Sequence, residues 1–144
     1  MHQLKVPLIL LLACLVLLTP AASMAEQKET FGAYEVHYIV IPTTFLKPQM
    51  AAKYGITRSE NRSLLNVSVL HHGTPVEAKL AAHTKNLLSQ INQLEFDEVR
   101  EGPAIYYLAL IRHSDEEVHQ ISLSATFDDG SQGAFEFQQR LYHE

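Results

Sequence analysis

Ile121-Ser-Leu-Ser-Ala-Thr-Phe127, then Asp128-Asp-Gly130-Ser-Gln-Gly133, then Ala134-Phe-Glu-Phe-Gln-Gln-Arg-Leu141, is the stretch that decides the fold. Ile121, Leu123, Ala125 and Phe127 alternate with Ser122, Ser124 and Thr126, the period of two that puts one face of a strand on a core and the other in water. Asp128-Asp129-Gly130 is turn chemistry, and beyond it Phe135 and Phe137 point one way again. The stretch is a β-hairpin with one apolar face.

The same period runs outward through the chain. Tyr34, Val36, Tyr38 and Val40 alternate with Glu35 and His37, and Leu65, Val67 and Val69 with Asn66 and Ser68. Val76, Ala78, Leu80 and Ala82 follow His72-Gly73-Thr74-Pro75, a turn sequence that predicts a second hairpin between these last two strands. Ala104 to Ile111 is apolar on both faces and reads as a central strand, and Gln93 to Val99 as a weaker one. Pro48 suits the start of a helix and Gly55 its end, so the segment from Gln49 to Tyr54 predicts a helix of under two turns. About seven strands with one short helix in the first long loop predict an all-β, antiparallel two-layer sandwich of immunoglobulin-like type. A small barrel is the alternative.

The N-terminus reads differently. A single positive charge at Lys5, an aliphatic run from Val6 to Leu18 and Ser23-Met24-Ala25 form the pattern of a secretory signal peptide, residues 1–25. The thirteen-residue apolar run is shorter than the ~20 residues a membrane span needs. Leu11-Leu12-Ala13-Cys14 resembles a lipobox, which offers a lipoprotein anchored through Cys14 as an alternative; the Leu-Val-Leu-Leu that follows is a poor tether. Residues 26–30 are polar and charged, a short tether, and residues 31–144 make one domain.

Cleavage after Ala25 places the mature chain outside the cytoplasm with ten basic and sixteen acidic residues, a net charge of −6. That balance disfavours nucleic acid as a partner, since phosphates need concentrated Lys and Arg. Removal of Cys14 leaves no disulfide or thiol chemistry, and removal of the N-terminal segment leaves no transmembrane span.

Reaction motifs are weak. Gly130-Ser131-Gln132-Gly133 lacks the spacing of a nucleophile elbow. The acids Glu95, Asp97, Glu98 and Glu101, and Asp115, Glu116 and Glu117, read as solvated loop faces. Seven histidines survive cleavage. His71 and His72, adjacent on a strand, are expected to point to opposite faces, and His113 and His119 fit neither usual helical spacing of a zinc protease. These four are the candidate ligands of an alternative reading, histidine-based metal binding; a small hydrolase is the third. No cofactor is implied. Two segments stand out as more than scaffold: Phe45 through Tyr54, Arg58 and Asn61, too long for a plain hairpin, and Arg100-Glu101-Gly102 before Tyr106-Tyr107. Phe45, Tyr54, Arg58, Asn61, Arg100 and Glu101 are the candidate binding surface.

Phe31-Gly-Ala-Tyr-Glu-Val-His-Tyr38, Thr44-Phe45-Leu46, Tyr54-Gly55-Ile56 with Arg58-Ser59 and Asn61, Leu65-Asn-Val-Ser-Val69, and Arg100-Glu101-Gly102 before Ile105-Tyr-Tyr-Leu108 together resemble the bacterial family of domain of unknown function 4426. The resemblance spans the mature chain. It implies a secreted, single-domain protein of a Gram-negative envelope, and it carries over no activity and no catalytic residue. The function expected is a non-enzymatic periplasmic binding or accessory module for an envelope protein or peptide.

Overall fold

The computed structural model describes residues 26–144; the signal-peptide reading and Cys14 lie outside them. Ten strands form two antiparallel sheets. The first has the order β1 (Gln27–Phe31), β2 (Tyr34–Pro42), β3 (Arg62–His71), β8 (Ala104–Arg112), β7 (Asp97–Glu101), with the two-residue β4 (Thr74–Pro75) also on β3. The second has the order β10 (Gln132–Leu141), β9 (Glu117–Phe127), β5 (Ala78–Asn86), β6 (Ile91–Leu94). The protein is a two-layer antiparallel sandwich of immunoglobulin-like type. Among the described residues no helix is long and apolar enough to cross a membrane.

The core lies where the period-two faces meet. Val36, Val67 and Val69 from one sheet and Ile121, Leu123 and Ala125 from the other are almost fully buried. A buried side chain of this size contributes about 1.5–3 kcal/mol. Tyr34 stacks on Phe127 at 4.2 Å between ring centroids, closing one end of the core.

Four expectations are corrected. The polar stretch at 26–30 is no tether: Gln27–Phe31 is the edge strand β1, paired with Tyr34–Tyr38, because its backbone can pair although its side chains carry no pattern. The turn at His72–Pro75 forms only a short β3–β4 hairpin, after which β5 crosses to the other sheet and pairs with β9 and β6. The Tyr107 hydroxyl fixes that crossover by accepting the Ala78 N–H at 3.0 Å. Gln93–Val99 is two strands in different sheets, with Glu95 and Phe96 spanning the gap. On β8 the inner face is buried, while the outer face is covered in part, at Leu108, and open at Leu110.

The helix forms as the sequence predicts. α1 (Pro48–Lys53) has proline in its first turn, and Gly55 takes φ +66°. The Ile56 N–H reaches the Ala51 carbonyl at 2.8 Å and the Gly55 N–H that of Ala52 at 3.2 Å, a Schellman closure. Ala51, Leu46 and Ile56 pack on Leu64 and Leu108, fixing the helix to the outer face of the first sheet.

Candidate functional site

The insertion between β2 and β3 is held at its base. Thr43 is fully buried; its Oγ1 accepts the Ser59 N–H at 2.9 Å, and its proton lies between the carbonyls of Ser59 and Arg62 at 2.9 and 3.0 Å. Arg58 donates to the Thr44 carbonyl at 2.7 Å, and the Ser59 hydroxyl to Asn61 Oδ1 at 2.6 Å. Both candidate polar residues thus brace the loop, with their side chains at the surface. Among the polar side chains that the insertion offers solvent stand two large apolar ones: Phe45 is 55 % exposed and Met50 46 %. Tyr54 is half-buried and carries the Lys53 ammonium 5.3 Å above its ring.

Arg100 and Glu101 part company. The register of β7 on β8 sets Glu101 opposite Ala104 and Arg100 opposite Ile105, so neighbouring side chains leave the strand on opposite faces. Glu101 accepts Lys53 from the helix at 3.3 Å, joining the insertion to the end of β7. Arg100 turns to the other side, where Glu98 at 3.0 Å and Glu77 hold it and push its pKa up. The structure therefore gathers Phe45, Tyr54, Arg58, Asn61 and Glu101 around the insertion and leaves Arg100 outside that group. Beside Arg100 a cavity of about 530 Å³ opens between the sheets, lined by Glu77, Glu98, Tyr107, Phe127 and Asp128.

The histidines are scattered. His72 has φ +50°, which takes it out of the strand and brings its ring to 4.5 Å from that of His71 instead of to the opposite face. His71 also stacks on Tyr34, whose hydroxyl donates to the Asp128 carboxylate; that bond raises the Tyr34 pKa to about 12. The side chain and backbone N–H of Ser131 hold Asp129 below the usual carboxylate range, with the nearby His71 adding to the effect. His113 is buried: its Nδ1–H donates to the Ser114 carbonyl at 2.9 Å, and its Nε2 accepts the Ser63 hydroxyl at 2.9 Å. This is a serine–histidine pair in geometry, with Ser63 2 % exposed and its Oγ facing the His113 ring rather than solvent. His119, also buried, lies against the Glu117 carboxylate with neither ring nitrogen in a well-directed hydrogen bond. Among the described residues no three His, Cys, Asp or Glu side chains converge as a metal site.

Met50 and the Leu87–Leu88 turn escaped the sequence reading. For the turn the signal was present: two adjacent leucines at the end of a period-two strand cannot both face a core.

A two-sheet sandwich with a braced, apolar-tipped insertion is the class these observations define. The chain belongs to the DUF4426 family, a domain of unknown function, whose profile matches residues 28–144. It is similar to the crystal structure of a DUF4426 family protein from Pseudomonas aeruginosa PAO1, at 32 % identity and a TM-score of 0.76, covering 83 % of this chain and 96 % of that one. A copper-bound variant of FetP from uropathogenic Escherichia coli strain F11 shares the fold at 11 % identity and a TM-score of 0.52, covering 83 % of this chain and 97 % of that one. No curated protein matches in sequence.

Proposed function

We propose that this chain is an exported, non-enzymatic binding module that acts in the periplasm on another envelope protein or peptide, with the insertion as its contact surface. One observation carries the reading. Phe45 and Met50 stand in solvent on a loop whose base, helix end and flank are all fixed by hydrogen bonds and packing. A loop whose backbone is already fixed loses little further entropy when its apolar side chains are covered by a partner. The signal-peptide pattern at residues 1–25 supports the location.

A photoreactive amino acid at position 45, irradiated in the native envelope, tests the surface. Adducts that disappear when Met50→Ser and Arg58→Ala are introduced together support it. Adducts no stronger than those from the same group at position 124, on the outer face of the second sheet, overturn it.

A second reading, histidine-based metal binding, is favoured by the His71 and His72 rings at 4.5 Å with Asp129 nearby, in a fold shared with a copper-bound FetP. Calorimetric titration with zinc, copper(II) and nickel after chelator treatment decides it. Heat abolished by His71→Ala with His72→Ala supports this reading, and no heat removes it.

A further inference from the structure

We infer that the β5–β6 hairpin is a second docking element, which takes an extended, uncharged segment of a partner protein as an added strand along β6 and anchors it with Leu87 and Leu88. It lies on the sheet opposite the insertion and stands independently of the insertion's role.

The two leucines are 78 % and 80 % exposed, and Ile91 beside them 58 %. They are held there by the turn's own hydrogen bonds. Asn86 Oδ1 accepts the N–H groups of Leu88 and Gln90 at 3.1 and 2.9 Å, and its Nδ2 donates to Gln90 Oε1 at 2.7 Å. The Asn86 N–H bonds the Gln90 carbonyl at 3.1 Å and the Ser89 N–H that of Asn86 at 3.0 Å, with Ser89 at φ +61°. A mobile tip could fold its leucines back; this one presents them.

The edge behind the tip is the second observation. Besides the two-residue β4, the sandwich has four edge strands, and natural sheets guard such edges with charge. β1 carries Lys28 and Glu29, β7 carries Asp97, Glu98, Arg100 and Glu101, and β10 carries Glu136 and Arg140. β6 reads Ile-Asn-Gln-Leu and carries none. Asn86 and Gln90 form a hydrogen-bonded pair, and antiparallel pairs alternate, so Asn92 and Leu94 bond inward to β5 while Ile91 and Gln93 turn their backbone groups outward. An added strand finds free donors and acceptors there, with the leucines as side-chain anchors.

Charge favours a protein over a lipid surface. Of the hairpin's two lysines, Lys79 lies at the far end of β5 and only Lys85 is near the tip, and the Asn86–His119 register puts Glu117 and the Asp115–Glu116 turn at that same end. An anionic bilayer is attracted by basic clusters, which this end does not offer.

The test uses the chain from Glu26 and a fluorescein-labelled eight-residue peptide of alternating threonine and valine with glutamine at both ends and an amidated C-terminus. Anisotropy is expected to show saturable binding, weakened at least tenfold by Leu87→Ser with Leu88→Ser and equally by Gln93→Lys, which charges the edge without touching the tip. Amide NMR shifts should centre on Ile91 and Gln93, and Phe45→Ser with Met50→Ser should leave binding unchanged. No peptide binding, binding indifferent to both hairpin variants, or shifts centred elsewhere overturns the proposal. So does tip-dependent sedimentation with phosphatidylethanolamine–phosphatidylglycerol vesicles without peptide binding, which assigns the hairpin to lipid. Concentration-dependent dimerisation through β6 without peptide binding assigns it to a second copy and overturns the proposal as well.

Discussion

Gly133 on β10 lies flat against the ring of Phe31 on β1, so close that a Cβ at position 133 would fall 2.6 Å from two ring carbons. Phe31 in turn packs near Phe127 and Phe135, with ring centroids 6.1 and 6.2 Å away. The contact seals the side of the sandwich where the first and last strands face each other.

Gly133→Ala is therefore expected to destabilise the protein by about 1–3 kcal/mol through overpacking. In a Phe31→Ala background the same substitution should cost well under half as much, since the obstructing ring is gone. Urea unfolding of the four proteins of the cycle measures the coupling; additive effects would contradict the contact.

Gly55→Ala has open space around its new methyl group and fails for another reason, the φ of +66° that the Schellman closure requires. About 1 kcal/mol of stability should be lost. Hydrogen exchange should quicken most at the Ile56 amide, and Gly55→Asn should retain about half of the loss. Equal protection at Ile56 in wild type and Gly55→Ala would show that the closure does not hold the insertion.

Tyr34 supplies the pH dependence. Its folded pKa stands at about 12 against an ordinary 10.0, first because its hydroxyl donates to Asp128 and next because it is buried. The folded state holds that proton more tightly, so the contribution to stability is complete below pH 10 and fades as pH rises towards 12. Absorbance titration at tyrosinate wavelengths should show a late-ionising group. Asp128→Asn should move one late group to lower pH and Tyr34→Phe remove one, leaving those of Tyr38 and Tyr107, which burial also pushes up; an unchanged number of late groups in Tyr34→Phe would assign it to another tyrosine.

His119 is 1 % exposed with no well-directed hydrogen bond at either ring nitrogen. Burying a polar group without such a bond costs about 1–3 kcal/mol. The ring's Nε2 edge meets the half-buried Glu117 carboxylate, so His119→Leu alone strands that acid, and His119→Leu with Glu117→Gln is expected to be more stable than the single variant by about 1 kcal/mol in urea unfolding. Equal stability of the two variants would show that the contact contributes nothing.

The parts of the fold that were legible in sequence are those where one face of a strand meets water. Tyr34–Val40, Leu65–Val69 and the β9–β10 hairpin announced themselves because burial there alternates residue by residue. β1 was not legible, since its first four residues are exposed and its strand state comes from pairing with β2 alone. Nor was the destination of β5: its alternation is the same whichever sheet it joins, and only the Tyr107–Ala78 bond and the match to β9 decide. Pro48 and Gly55 gave the insertion its helix. The exposed Met50 needed the helix's packing face, which the sequence did not define. For His71 and His72 the rule of opposite faces failed at a single left-handed residue.

The chain moves between layers three times: after β4, after β6 and after β8. Neither sheet is therefore assembled from one contiguous stretch, and β5 waits for β9 to arrive before its second edge is paired. A nascent chain ending before Glu117 holds the whole first sheet but only half of the second, β5 and β6. Such a weave resists collapse into native form while the chain is incomplete. It commits to its final shape once, after the last strand has emerged.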